Sequence, residues 1–254
     1  MTPSAPLYDA LADSYDEHFA APHRRAYDDL AWEICAGLIE PGASVLDVGC
    51  GVGRWAERLV ASGHRVTGIE PSPRMADAAE KRLGPGFTLI RAGVEDAAPP
   101  PADVVLAMGS LQYAADPVTA IARCAGWVRP GGVLCMLVDS RQALVLELLA
   151  AGRTDEALER SRTHRGIWRL GKLSAGMHLF DAVELRAAVQ AAGLLVERLS
   201  GLLVGASAYG RTGLVDRLTQ DYPGTLAAER RLAAEPALAD LGKQLIAVGR
   251  CRAH

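Results

Sequence analysis

From about Ser44 onward, short apolar runs alternate with stretches in which apolar residues recur every three or four positions. The runs predict strands at Ser44–Val48, His64–Ile69, Phe87–Arg91, Val104–Met108 and Gly132–Asp139. The intervening periodic stretches predict helices over Gly53–Ser62, Pro73–Leu83 and Pro117–Val128. A run such as Val104-Val105-Leu106-Ala107-Met108 has no polar alternation, which suits a strand covered on both faces and hence a parallel sheet. The repeated strand–helix–strand order predicts a doubly wound α/β fold with right-handed crossovers.

Two regions break the pattern. Residues 5–40 read as a helical cover over residues 1–43 ahead of the first strand. Residues 141–175 read as a long helix plus a loop. Beyond them come a helix at Asp181–Ala192, a strand at Leu194–Ser200 and a final strand at Lys243–Gly249. The partly helical residues 201–240 lie between those strands. Residues 141–175 and 201–240 are the expected cap or substrate segments, because ligands of open α/β sheets sit beyond the strand carboxyl ends. With no repeat or long linker, the 254 residues read as one domain.

Composition narrows the partners. Half the residues are apolar, 5% are aromatic, and the formal charge is −3. That balance argues against a nucleic-acid partner, and the one basic cluster, Arg160–Arg165, reads as a solvated helix face. Five cysteines without zinc-ligand spacing read as reduced thiols, and no metal-ligand cluster is visible in the spacing. Met1–Tyr8 lacks signal-peptide features and no apolar run approaches membrane-spanning length, so a cytoplasmic protein without a membrane partner is expected.

The most informative stretch is Asp47-Val48-Gly49-Cys50-Gly51-Val52-Gly53. An apolar strand ends in three alternating glycines and opens a helix, whose free N–H groups and close backbone approach suit a nucleotide-like ligand. Glu70 ends the second strand 17 positions after Gly53, where a carboxylate can accept both ribose hydroxyls; it also reads as a helix N-terminal acid before Pro71-Ser72-Pro73. Glu95-Asp96 follows the third strand, suited either to an adenine amino group or to a turn cap. Asp47 stands inside an apolar strand, where a carboxylate needs a partner. A cationic ligand supplies one; a pyrophosphate would be repelled. The dinucleotide spacing Gly-x-Gly-x-x-Gly also fails, with Arg54 or Ala56 at the third glycine position.

At these residues the chain resembles the class I S-adenosylmethionine-dependent methyltransferases of the small-molecule type. The resemblance extends to Asp103–Tyr113, to Trp127-Val128-Arg129-Pro130-Gly131-Gly132, and to the late segment from Glu184 to Leu194. The opening Tyr8-Asp9-x-x-Ala12-x-x-Tyr15-Asp16 is also similar to small-molecule members, so residues 8–139 and 178–200 are covered. It implies a Rossmann-like seven-stranded, mostly parallel sheet whose last strand is antiparallel. It also implies that S-adenosylmethionine is bound and S-adenosylhomocysteine released. Asp47, Gly49, Cys50 and Gly51 would follow the methionine and ribose, with Tyr15 over the methionine end. Glu70 would hold the ribose with Pro71 and Met75 beside it, Val94 and Glu95 the adenine, and Met108 and Gly109 the floor near the sulfur. Cys50 stands where smaller residues are usual.

The activated methyl comes with the cofactor, so the chain must chiefly align an acceptor lone pair; such positioning lowers a barrier by as much as about 7–11 kcal/mol. A base is needed only for a protonated nucleophile. His178, Gln112 and Tyr113 are the candidates nearest the acceptor, although Tyr113 also reads as packing. For each of His18, His23, His164 and His178 a solvent-facing or structural role is the stronger reading. Met108-Gly109-Ser110-Leu111 lacks the Pro-Pro-Tyr-like motif of base-modifying relatives. The expected acceptor is therefore the O or N of a small molecule, a secondary metabolite or a peptide, for a monomer or homodimer. An NAD(P)-binding oxidoreductase and a non-catalytic cofactor-binding protein are the alternatives.

Overall fold

The computed structural model describes residues 4–253, so residues 1–3 of the expected cover and residue 254 lie outside the described residues. The chain opens with α1 (Ala5–Leu11), a 3-10 turn, α2 (Tyr15–Phe19) and α3 (Pro22–Ala36). The alternating part follows as β1 (Ser44–Val48), α4 (Arg54–Ala61), β2 (Arg65–Ile69), α5 (Pro73–Leu83), β3 (Thr88–Ile90), β4 (Ala102–Met108), α6 (Pro117–Gly126) and β5 (Val128–Asp139). The later elements are α7 (Arg141–Ala150), α8 (Thr154–Thr163), β6 (Arg165–Leu170), β7 (Leu173–His178), α9 (Ala182–Ala191), β8 (Leu195–Leu202), α10 (Gly205–Gln220), α11 (Tyr222–Ala233) and β9 (Gln244–Arg250).

Seven strands form one sheet in the order β3-β2-β1-β4-β5-β9-β8, and the pairs from β3 to β5 are all parallel. The last strand in sequence, β9, is antiparallel to both β5 and β8. The expected seven-stranded, mostly parallel sheet is therefore observed. Neighbouring residues feed opposite faces. Leu46, Val105, Leu134 and Met136 pack under α6 and α9, against Ile121, Leu185 and Val189. Val45, Val104, Leu106 and Cys135 pack on the other face, against Leu30, Leu59, Leu214 and Leu218. Each such side chain contributes about 1.5–3 kcal/mol on burial, which holds the strands in the register that exposes their carboxyl ends to one crevice.

Residues 141–175 differ from the expected long helix and loop. Gly152, at φ +71°, ends α7 and separates it from α8. The residues after α8 form an antiparallel hairpin, β6–β7, turned by Gly171-Lys172 with Gly171 at φ +58°. The sequence carries the signal for it: Gly166, Trp168 and Leu170 turn inward between exposed Arg165, Ile167 and Arg169. Residues 201–240 begin with the end of β8 and are mostly helical from Gly205 onward, and α10 breaks at Gly210 (φ 69°, ψ 168°). All five cysteines are free thiols, four of them buried. Among the described residues no helix is long and apolar enough to cross a membrane.

Candidate functional site

The glycine loop leaves β1 at the carboxyl edge of the sheet. Gly49, Gly51 and Gly53 all have positive φ, at 74°, 56° and 81°. A side chain at Gly49 would collide with Ser110, whose hydroxyl donates to the Val48 carbonyl at 2.5 Å. The Gly49 and Cys50 N–H groups donate to the Ile69 carbonyl at 2.7 and 3.1 Å, tying the bend to the end of β2. The loop conformation follows from sequence, because only glycine takes these dihedrals without strain.

Glu70 is 6% exposed and is held from both sides. Its Oε2 accepts the Gly51 N–H at 2.9 Å and its Oε1 the Ser72 N–H at 2.8 Å. Burial pushes its pKa up to about 7 despite those two donors. Asp47 is 2% exposed, and its Oδ2 has no hydrogen-bond partner. Burial, then the nearby Glu70 charge, raise it to about 7 as well, against the pull of the Ala56 N–H. Two buried carboxylates, one with an orphaned oxygen, make a site that gains from a cationic ligand and repels a pyrophosphate.

Three connected hollows meet here, and Tyr15 and Met108 border all of them. A crevice of about 80 Å³ runs from Gly49 and Gly51 past Glu70, Pro71 and Val94 to Met108, Gly109 and Tyr113. A recess of about 40 Å³ lies over Asp47, Gly49 and Cys50, closed by Tyr15, Phe19 and Arg54. Gly109 sits at φ +82°, and a Cβ there would enter open space. The orphaned Asp47 oxygen, the glycine cradle and Glu70 fit an adenosyl sulfonium bearing an amino acid.

Beyond Met108 and Gly109 opens a larger cavity of about 260 Å³. Its walls come from α2, α3, the hairpin, α7, α10 and the start of β9. Gln112 borders it, locked by a two-way exchange with Asp139: its Nε2 donates to Oδ2 at 2.8 Å and its Oε1 accepts the Asp139 N–H at 2.9 Å. Tyr113 meets Tyr8 edge to face at 5.5 Å, and burial pushes its phenol up to about 12. Tyr8 also packs on Trp168 at 5.4 Å.

Three of the expected residues stand apart from these hollows. Met75 is fully buried with Leu11 and Val52, supporting the loop from beneath. Glu95 accepts the Ala115 N–H at 3.1 Å, tethering the segment after β4. His178 borders none of the three hollows; its Nε2 meets Glu184 Oε1 at 2.8 Å and its ring stacks on His164 at 5.5 Å. His164 Nδ1 meets the other Glu184 oxygen at 3.0 Å. His164, His178 and Glu184 thus bring ligand-type atoms within 4.8 Å of one another, a grouping that residue spacing did not reveal. The Arg141 guanidinium lies 2.8 Å from His164 Nε2, so the group works as a hydrogen-bonded clasp between the hairpin and α9. Sequence reasoning missed Arg24, Asp139, Glu147, Trp168, Arg211 and Lys243, which converge on the large cavity from distant segments. Only Trp168 carried a local signal, the alternation of the hairpin.

Sheet order, glycine loop and acidic crevice together define a Rossmann-like fold built to bind an adenosyl cofactor. A family profile described as "Methyltransferase domain" matches residues 15–199, well over half of the chain. The chain therefore belongs to the methyltransferase-domain family and carries the S-adenosylmethionine-dependent class I fold. A ubiquinone biosynthesis O-methyltransferase of Xanthomonas axonopodis pv. citri is 31% identical over 189 residues, covering 70% of this chain and 74% of that protein. One from Xanthomonas campestris pv. campestris is 33% identical over 127 residues, covering 47% of this chain and 52% of that protein, so the match spans about half of that relative's length. In fold, an S-adenosylmethionine-dependent methyltransferase of Mesorhizobium loti superposes with a TM-score of 0.58 at 16% identity, covering 87% of this chain and 97% of that one. The 1,6-didemethyltoxoflavin N1-methyltransferase of Burkholderia thailandensis, solved with its substrate and S-adenosylhomocysteine, gives 0.58 at 17% identity, covering 98% and 88%.

Proposed function

We propose that the chain transfers a methyl group from S-adenosylmethionine to an oxygen or nitrogen of a small molecule, a secondary metabolite or a short peptide. The observation that carries this reading is the join at Met108 and Gly109, where an acidic crevice opens into a separate aromatic cavity. Glu70 and the Gly51 backbone hold the ribose side, Val94 the adenine side, and Asp47 the ammonium side. The bound cofactor supplies an activated methyl group. Tyr15 and Met108 exclude water at the junction of the hollows. Gln112, braced by Asp139, and Tyr113 orient the acceptor toward that junction. Helix α7, the hairpin and α10, within the two added segments, form the acceptor's cap. The relatives that are O-methyltransferases and the structural neighbour that is an N-methyltransferase support both attacking atoms. Five unpaired thiols support a cytoplasmic setting.

Titration calorimetry with S-adenosylhomocysteine tests the first half, with micromolar-range binding expected and weakened by Glu70→Ala. Incubation with methyl-labelled cofactor and fractionated small metabolites, read by mass spectrometry, tests the second. Folded protein that binds no S-adenosylhomocysteine would defeat the proposal, and binding without transfer to any fraction would leave a cofactor-binding protein in its place.

A further inference from the structure

The large cavity is electrically lopsided. Tyr8, Tyr113 and Asp139 stand toward the cofactor crevice, since both tyrosines border crevice and cavity and both feel the Asp139 charge. On the wall built by α7, α10 and the start of β9, Arg211 and Lys243 converge on Glu147, while Arg24 borders the same cavity and its charge also reaches Tyr15 and Tyr113. His23 registers all three cations: burial first, then Arg24, Arg211 and Lys243, hold its imidazole down at about 4. Glu147 is the one carboxylate among these cations, accepting from Arg211 at 2.5 Å and from Lys243 at 2.8 Å. Burial alone would raise Glu147, yet Lys243 and Arg211 hold it below the usual carboxylate range. Arg24 has no ion-pair partner among the described residues. The carboxylates of its own helix are taken elsewhere: Asp28 by Arg54 and Arg58, Asp29 by Arg25, and Glu33 by Arg230. Its guanidinium lies 5.9 Å from the Phe19 ring.

Three cations against two carboxylates, Glu147 and Asp139, leave one net positive charge beside a partly closed, aromatic-walled space. A neutral acceptor would leave that excess without a partner, whereas an anionic group reaching Arg211 and Lys243 gains charge-assisted hydrogen bonds. At about 260 Å³ the cavity falls just below the ~300–1,000 Å³ usual for ligand sites, so the acceptor is small. Tyr8, Tyr113 and Trp168 favour a flat, unsaturated body.

We infer that the methyl acceptor is a small aromatic acid, with its anionic group held by Arg211 and Lys243 on the wall built by α7, α10 and the start of β9. This rests on the methyltransferase reading for the direction of the acceptor, but the anion subsite has its own readout. In that arrangement Glu147 occupies the subsite until the acceptor arrives and lends one or both of its cations to it.

The test uses the full chain saturated with S-adenosylhomocysteine and two matched probes, 2-naphthoate and its neutral counterpart 2-naphthamide, titrated by calorimetry. The expected result is at least tenfold tighter binding of the acid. Arg211→Gln and Lys243→Gln should each shrink that preference to threefold or less, with S-adenosylhomocysteine affinity unchanged. Glu147→Gln should strengthen naphthoate binding severalfold, a gain that mere structural damage would not give. Equal binding of the two probes, no binding of the acid, or a preference that survives both cation substitutions would overturn the inference. Loss of S-adenosylhomocysteine binding by the wild-type protein would instead count against the methyltransferase reading, and probe selectivity in the cofactor-free protein would then stand by itself.

Discussion

Glu70 and Gly51, nineteen positions apart, are joined by a 2.9 Å hydrogen bond from the Gly51 backbone to the Glu70 carboxylate. The second Glu70 oxygen takes the Ser72 N–H, so one side chain fixes both the glycine loop and the entry to α5. The proposed cofactor grip and the loop geometry therefore share one carboxylate.

Glu70→Ala should weaken S-adenosylhomocysteine binding at least tenfold and also lower Tm. The Gly51 and Ser72 N–H groups would lose their acceptor, and a buried unmade hydrogen bond costs about 1–3 kcal/mol. Glu70→Gln keeps one acceptor oxygen and should show a smaller Tm loss with a similar loss of affinity. Calorimetry and thermal melting on both variants separate the two roles.

Cofactor affinity should rise between pH 6 and pH 8. Asp47 and Glu70 both titrate near 7 in the folded chain, and a sulfonium and ammonium favour their ionised forms. The cofactor-free protein should show the opposite trend in these two groups' contribution to stability. Their folded pKa lies above the unfolded one, so the folded state holds more protons from about pH 4 to about pH 7, and stability falls as pH rises through that window. His18 and His23, both held at about 4 chiefly by burial, act in the reverse sense from about pH 4 to about 6.5. The difference between wild type and Asp47→Asn in Tm against pH isolates the carboxylate part.

Alanine at two glycines should fail in different ways. Gly49→Ala drives a Cβ into Ser110 at positive φ, so Tm should fall by several degrees. Gly109→Ala shares the backbone strain, but its Cβ enters open crevice, so lost S-adenosylhomocysteine affinity should exceed what the Tm shift alone would suggest. A variant at Gly109 that binds like wild type would remove that strand end from the cofactor site.

Trp168→Ala should enlarge the acceptor cavity, raising the acceptor KM at least tenfold while leaving S-adenosylhomocysteine affinity within twofold. His178→Gln loosens the clasp on Glu184 outside the cavity, so Tm should drop with kcat within threefold. A hundredfold loss of kcat with unchanged Tm would put His178 in the chemistry instead.

The strand runs, the glycine loop and Glu70 were legible in the sequence because each depends on local chemistry. Apolar continuity marks a strand covered on both faces, and alternating glycines mark a bend that other residues resist. The β6–β7 hairpin was legible too, in the alternation around Trp168 and the Gly171-Lys172 turn, but helix expectations for the stretch hid it. The charges around the large cavity left no such trace. Arg24, Glu147, Arg211 and Lys243 look like ordinary surface charges in sequence, and only the packing of α3, α7, α10 and β9 around one hollow sets them against each other. Sequence alone thus determined the sheet and the glycine bend, whereas the tertiary structure decided the large cavity, because charges far apart along the chain interact only once folding has brought them within a few ångströms of each other.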